Sequence, residues 1–183
     1  ITKPKQNPHG QVEATITGVG LGALAEPQEP LDLGNSGTGA RLLMGVVGGS
    51  GITAIFTGDT SLSARPMRRV MTPLSQMGVE FSARDGDRLP MTVIGTGQPL
   101  SISWQSPVAS AQVKSAILLA GLTARGITSV TEPAASRDHT ERMLRHFGAE
   151  VTTEHHQNGS YSAHLKGEAD LTAADIIVPS DPS

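Results

Sequence analysis

The sequence predicts an α/β fold built from repeated βαβαββ units, because helical and strand patterns alternate along the chain. The segment Gly-Ile-Thr-Ala-Ile-Phe at 51–56 recurs 75 residues later as Gly-Ile-Thr-Ser-Val-Thr at 126–131. Met-Gly-Val-Glu at 77–80 recurs 70 residues later as Phe-Gly-Ala-Glu at 147–150. A spacing this regular indicates a duplicated supersecondary unit.

A single unit of this kind cannot cover the apolar faces of its own helices. We therefore expect the units to pack around shared buried helices, with the sheets outside. The chain length fits one domain over residues 1–183. We place two complete units at about 31–97 and 98–167, with partial units at 1–30 and 168–183.

The first complete unit contains clear helix and turn signals. Pro66 suits the first position of a helix, and Gly78 suits the position just after its end. The loop at 58–65 is polar, and Asp85-Gly86 is typical of a hairpin turn. The predicted elements are strands at 31–33 and 51–57, helices at 38–47 and 67–77, and hairpin strands at 79–82 and 90–94.

The second complete unit repeats this order, with Gly148 as a helix stop and Asn158-Gly159 as a hairpin turn. Its predicted elements are strands at 100–104 and 126–131, helices at 111–120 and 138–147, and hairpin strands at 150–153 and 161–165. Alternating or continuous apolar residues also predict strands in the partial units, at 11–18 and 176–178.

Composition limits the classes of ligand that the chain can bind. With 14 Lys and Arg against 17 Asp and Glu, the net charge of −3 argues against a general nucleic-acid surface. One Trp, one Tyr and three Phe leave little for base stacking. The absence of cysteine excludes disulfides and a cysteine nucleophile, and no apolar run approaches the ~20 residues of a membrane span. Any anionic ligand must therefore be held by locally clustered cations.

Both units begin their first helix with small and polar residues. At 33–44 a glycine-rich, hydroxyl-bearing loop runs into an apolar helix, and Ser110-Ala-Gln opens the matching helix 75 residues later. Unpaired N–H groups at a helix start attract anions, and glycine lets a ligand approach the backbone. The alternative is purely structural, with Ser36 or Thr38 as a helix cap and Ser110 with Gln112 as a cap pair.

An arginine precedes the second helix of each unit, Arg65 in one and Arg137 in the other. A guanidinium group matches carboxylate or phosphate with two parallel hydrogen bonds. The alternatives are a surface arginine beside Pro66 and an ion pair of Arg137 with Asp138 or Glu141. Two arginines and two helix starts together predict a binding surface for a ligand with two anionic groups.

Other candidate residues indicate no further site. By its spacing from Gln112, we expect Lys114 to be a solvated lysine. His155 and His156 would face opposite sides of a strand, while His139 and His146 have no evident third ligand. The helix starts also lack the third glycine of a dinucleotide loop and the Gly-Lys-Ser/Thr of a Walker loop. We expect neither a metal nor a cofactor.

Four ordered motifs resemble the 5-enolpyruvylshikimate-3-phosphate (EPSP) synthase family of enolpyruvyl transferases. The resemblance covers nearly the whole chain and is carried by the motifs Leu-Gly-Asn-Ser-Gly-Thr-Gly-Ala-Arg at 33–41, Gly-Asp-Thr-Ser-Leu-Ser-Ala-Arg-Pro-Met at 58–67, Ser-Ala-Gln-Val-Lys-Ser-Ala at 110–116 and Arg-Asp-His-Thr-Glu at 137–141. It implies one domain of the family's inside-out α/β fold, in which six units form two domains and substrates bind between them. The second domain would be absent here.

The resemblance also implies roles for individual residues. It assigns phosphoenolpyruvate to Asn35, Gly37, Thr38, Arg65 and Gln112. It assigns shikimate 3-phosphate to Ser110, Ala111, Gln112 and Arg137. No catalytic residue is assigned, because the family's proton-transfer groups would lie in the second domain, and we expect this chain alone to lack appreciable activity.

The implied function is 3-phosphoshikimate 1-carboxyvinyltransferase, a cytoplasmic enzyme of the shikimate pathway to aromatic amino acids and the target of glyphosate. Its partners would be two small anionic substrates and the second domain, with no nucleic acid, membrane or cofactor. One alternative is a non-catalytic anion-binding or scaffold domain of the same fold. Another is the transferase acting on UDP-N-acetylglucosamine, which usually carries a loop cysteine that this chain lacks.

Overall fold

The computed structural model describes residues 3–8 and 12–178. Its helices are α1 (Gly37–Gly48), α2 (Thr60–Ser63), α3 (Arg68–Gln76), α4 (Ala111–Gly121) and α5 (His139–His146). Its strands are β1 (Lys5–Gln6), β2 (Val12–Glu13), β3 (Leu31–Asp32), β4 (Thr53–Thr57), β5 (Glu80–Arg84), β6 (Arg88–Ile94), β7 (Ser103–Gln105), β8 (Ile127–Glu132), β9 (Val151–His155) and β10 (Tyr161–Lys166). No helix within these ranges is both long and apolar enough to cross a membrane.

Two four-stranded sheets share one topology. Their strand orders are β3-β4-β6-β5 and β7-β8-β10-β9, which become identical when each sheet is numbered from its own first strand. In each sheet the first two strands are parallel and the remaining pairs are antiparallel. The parallel pairs are joined through helices α1 and α4, which confirms the α/β class predicted from the alternating pattern.

Helices α1 and α4 lie between the two sheets. Helix α1 begins at a serine cap, where Ser36 Oγ accepts a hydrogen bond from Gly39 N at 3.0 Å, and it buries Ala40, Met44 and Val47. Helix α4 is mostly apolar and is buried along almost its whole length. A helix of this kind needs neighbours all round it.

The two helices pack with their backbones in close contact. A Cβ atom added at Gly45 would lie 2.2 Å from the carbonyl oxygen of Ala116, so only glycine fits at this crossing. One turn further on, Thr123 Oγ1 donates a hydrogen bond of 2.6 Å to the carbonyl oxygen of Gly49. The predicted sharing of buried helices between units therefore occurs, while outer-face residues such as Ile55 and Ile127 are exposed.

Several predicted element limits shift in the first complete unit. The segment 58–65 is not only a loop, because Asp59 Oδ1 accepts a hydrogen bond from Leu62 N at 2.7 Å and starts the short helix α2. Pro66 does not occupy the first helical position, since α3 starts two residues later and holds Pro73 in its interior. Gly78 follows this helix with φ of +97°, as predicted for the residue after a helix end.

The predicted strands of the partial units are wrong over most of their length. Between residues 12 and 18 only Val12–Glu13 forms a strand, and Gln11 lies outside the described residues. Ile176–Val178 adopts no strand, and the side chain of Ile177 is 89% exposed. An apolar run becomes a strand only when a neighbour pairs with its backbone, and none lies beside this run within the described part of the chain.

We expect Gly45→Ala to destabilise the fold by about 3 kcal/mol or more, because the added methyl group meets a backbone carbonyl that cannot rotate away. The matched control is Gly51→Ala, whose added Cβ would lie 3.6 Å from Gly97 Cα, and we expect a change of about 0.5 kcal/mol or less. Urea unfolding of both variants measures the difference. Equal midpoints would show that the helices are not in close contact at Gly45.

Candidate anion-binding site

The two helix starts predicted as anion sites lie side by side. Gln112 Nε2, in the first turn of α4, donates a hydrogen bond of 2.8 Å to Thr38 Oγ1, in the first turn of α1. Arg41 Nη1 donates to Gln112 Oε1 at 2.9 Å and to the carbonyl oxygen of Gly37 at 3.1 Å. The side-chain amide of Gln112 thus links both units at one point.

Arg65 is part of this cluster and is not an isolated surface arginine. Its Nη2 donates to Asn35 Oδ1 at 2.7 Å and to Ser61 Oγ at 3.0 Å. The side chain is half-buried, and these two bonds hold the guanidinium group beside the start of α1. The structure therefore brings together the predicted residues Asn35, Gly37 and Arg65.

Gly37 makes room for two arginines. A Cβ atom added at this position would lie 3.0 Å from Arg41 Nη1 and 3.1 Å from Arg65 Nη1. Arg41 is not among the site residues predicted from the sequence, although it stands four residues after Gly37 and therefore on the same helix face. The four-residue spacing from Gly37 is the sequence feature that would have placed Arg41 at this site.

Positive charge is concentrated next to Gly37. A pocket of about 310 Å³ is lined by Arg41, Arg65, Pro66, Arg68 and Arg69. Burial lowers the pKa of Arg41, and the neighbouring charges of Arg69 and Arg65 lower it further. Arg68 pairs with Asp87, whereas Arg69 has no acidic partner among the described residues. Uncompensated guanidinium groups at a helix start attract an anion by charge and by hydrogen bonding.

The second helix start is held by a buried carboxylate. Ser110 caps α4 by accepting a hydrogen bond from Val113 N, so the predicted structural role of this serine is confirmed. Its own backbone N donates to Glu132 Oε1 at 2.6 Å. Ala111 and Gln112 follow as the first two residues of the helix and are half-buried.

Arg137 does not touch the other predicted residues. It is exposed and makes neither a hydrogen bond nor an ion pair with any residue that the structure describes. The predicted alternative, an ion pair with Asp138 or Glu141, does not form, because Glu141 is buried and pairs with Lys114. The guanidinium of Arg137 is therefore available to a ligand.

The prediction that Lys114 is solvated is wrong. Its side chain is completely buried, with Nζ 3.0 Å from Glu132 Oε2 and 2.8 Å from Glu141 Oε1. Burial lowers the pKa of this lysine, but the two carboxylates outweigh burial and the net pKa is raised. Apart from Lys114 and Ser115, the run from Val113 to Ala120 is apolar, and a helix with so much apolar surface is buried together with the lysine within it.

Within residues 3–8 and 12–178, no three His, Asp or Glu side chains lie close enough together to hold a metal ion. His146 Nε2 instead lies 3.1 Å from the carbonyl oxygen of Asp175.

Fold and site together define an α/β protein of repeated units that gathers arginines where two buried helices begin. A family model for EPSP synthase (3-phosphoshikimate 1-carboxyvinyltransferase) matches residues 7–183. The chain belongs to the EPSP synthase family.

Individual relatives agree with this assignment. The chain is 55% identical over 175 residues to the 3-phosphoshikimate 1-carboxyvinyltransferase of Parvibaculum lavamentivorans, covering 96% of this chain and 39% of the relative. It is 57% identical over 168 residues to that of Paramagnetospirillum magneticum, covering 92% and 38%. The solved EPSP synthase from Acinetobacter baumannii superposes with a TM-score of 0.86 at 45% identity, over 97% of this chain and 39% of that one. The chain therefore spans about two fifths of the length of these relatives.

We expect Lys114→Met to destabilise the protein by about 3–5 kcal/mol, because it leaves Glu132 and Glu141 buried without a counter-charge. The matched control is Lys166→Met, which removes an exposed ion pair with Glu150 of 2.9 Å and should leave the unfolding midpoint almost unchanged. Thermal and urea unfolding at neutral pH compare the two variants. Similar small losses in both would contradict a buried charge network.

Proposed function

We propose that the protein to which this chain belongs transfers the enolpyruvyl group of phosphoenolpyruvate to the 5-hydroxyl of shikimate 3-phosphate and releases phosphate. Family membership supports this activity, and so do the names of the relatives. The observation that carries most weight for this chain is the grouping of Arg65, Asn35 and Gly37 beside the Thr38–Gln112 contact. Both substrates are anions, and this part of the molecule has the charge to hold them.

For phosphoenolpyruvate we propose the pocket beside the start of α1. Arg65 would hold an anionic group with two parallel hydrogen bonds, and Asn35 fixes the direction in which its guanidinium points. Gly37 would let the ligand approach the helix start, where backbone N–H groups add positive potential. Thr38 and Gln112 would close the pocket on the side of α4.

For shikimate 3-phosphate we propose the start of α4 together with Arg137. The Ser110 hydroxyl, the backbone of Ala111 and the side chain of Gln112 lie in sequence at this helix start. Arg137 is exposed and carries no competing ion pair among the described residues, so its guanidinium is available to a phosphate. Gln112 contributes to both proposed sites because it stands between the two helices.

The chemistry consists of an addition and an elimination. In the addition, the 5-hydroxyl oxygen bonds to C2 of phosphoenolpyruvate and loses its proton to a base, while C3 takes up a proton. In the elimination, the C2–O bond to phosphate breaks while C3 gives up a proton to a base, and phosphate leaves. Arginines and helix starts would neutralise the anions and place the hydroxyl next to C2, which is how positioning lowers a barrier. We propose that the proton-transfer groups lie on the family's second domain and face the substrates bound between the two domains.

We propose one domain over 1–183, with complete units at 31–97 and 98–167, whose partner is the second domain of the same enzyme. We propose the cytoplasm as its compartment and the two substrates as its ligands, with no nucleic acid or membrane.

A continuous phosphate-release assay on the full-length protein tests this proposal. We expect release that depends on both substrates and on Arg65, and Arg65→Ala should lose about 1.5–3 kcal/mol of phosphoenolpyruvate binding, roughly tenfold to a hundredfold.

Arg68→Ala is the matched control, because Arg68 lines the same pocket but is 76% exposed and pairs with Asp87. We expect it to change phosphoenolpyruvate binding by no more than about twofold. No phosphate release from the unmodified protein, with substrate binding intact, would favour a non-catalytic anion-binding domain. Equal losses in the two variants would remove Arg65 from the proposed site.

A further inference from the structure

Glu132 is the last residue of β8, and its carboxylate is almost completely buried. Its two oxygens have different partners. Oε1 accepts the hydrogen bond of 2.6 Å from the backbone N of Ser110, at the start of α4. Oε2 accepts a hydrogen bond of 2.7 Å from Ser136 Oγ, in the loop that leads to Arg137. The carboxylate of Glu132 therefore connects the two segments whose residues we propose to bind shikimate 3-phosphate.

The loop that bears Arg137 is fixed on both sides. On the side after Arg137, Ser115 Oγ of α4 lies 2.6 Å from Thr140 Oγ1 of α5. Asp138, at the start of α5, makes no side-chain capping hydrogen bond to that helix. Arg137 is exposed and bonds to no other residue in the described part of the chain. On the side before Arg137, the bond from Ser136 to Glu132 is the hydrogen bond that holds residues 133–137 in place within the described part of the chain.

Glu132 is held in turn by a buried charge network. Lys114 Nζ lies between Glu132 and Glu141, and it stands 4.6 Å from the centre of the Tyr161 ring. Tyr161 donates a hydrogen bond of 3.3 Å to Glu141. Because an unpaired buried charge is costly, a network in which one lysine lies between two carboxylates permits few other arrangements of its members.

We propose that Glu132 is a positioning residue for shikimate 3-phosphate, which sets the distance between the Ser110 helix start and the Arg137 loop. This inference rests on the proposed function. Glu132 touches no ligand itself, and it acts through the two segments that it joins. The side chains of Lys114 and Glu141 keep the carboxylate in place and make no hydrogen bond to Ser110 or Ser136.

The test compares Glu132→Gln with Glu141→Gln in the full-length protein. Each substitution removes one negative charge from the same buried lysine and keeps the size of the side chain. Only Glu132 contacts Ser110 and Ser136. We expect Glu132→Gln to raise the KM for shikimate 3-phosphate about tenfold and the KM for phosphoenolpyruvate less than about threefold, and Glu141→Gln to leave both KM values within about twofold.

Ser136→Ala provides a second variant that leaves the charge network complete. Removing its hydroxyl should raise the KM for shikimate 3-phosphate about threefold, with an unchanged unfolding midpoint. This variant keeps the inference testable if Glu132→Gln does not fold.

The outcomes separate the inference from the function on which it rests. If the unmodified protein shows no turnover with both substrates, the proposed function fails. If it turns over but Ser136→Ala and Glu132→Gln leave the KM for shikimate 3-phosphate unchanged, the positioning role is wrong. Equal effects of Glu132→Gln and Glu141→Gln on that KM would likewise show that the network only stabilises the fold.

Discussion

The close contact between α1 and α4 determines where every part of the candidate site lies. Gly45 lets the two backbones meet at Ala116, which brings the first turns of both helices to the same end of the molecule. There the distance from Gln112 to Thr38 is short enough for a direct hydrogen bond. A wider crossing would separate these two residues, and the unit that holds Arg65 would no longer share a site with the unit that holds Ser110.

The positively charged side chains on the two sides of this contact differ in whether carboxylates are paired with them. Beside Gly37, the guanidinium groups of Arg41 and Arg65 lie close together without a carboxylate between them. The local electrostatic potential is therefore positive and attracts anions. Behind the start of α4, the charge of Lys114 is buried and is paired with the carboxylates of Glu132 and Glu141. We propose that the first group binds an anionic ligand and that the second holds the start of α4 and the Arg137 loop in position.

The fold could be predicted from the sequence because its main signals are local and repeated. The recurrence of Gly-Ile-Thr at 51–53 and 126–128 set the order of the elements, and small polar residues marked the two helix starts. Contacts between elements that are distant in the sequence could not be predicted in the same way. The run at 176–178 has the composition of a strand but no paired neighbour in the described structure, and the burial of Lys114 depends on carboxylates that arrive from β8 and α5. Ser110 and Gln112 were correctly placed at a helix start, yet their link to Arg41 and Glu132 required the three-dimensional structure.

The central claim is that two helix starts from two repeated units form one site for anionic substrates. A crystal structure of the full-length protein with phosphoenolpyruvate and shikimate 3-phosphate bound tests it most directly. The account predicts oxygens of phosphoenolpyruvate within about 3.2 Å of the Arg65 guanidinium, and the phosphate of shikimate 3-phosphate at a similar distance from Ser110 and Arg137. Both ligands bound elsewhere, with Arg65 and Ser110 contacting only protein, would contradict it.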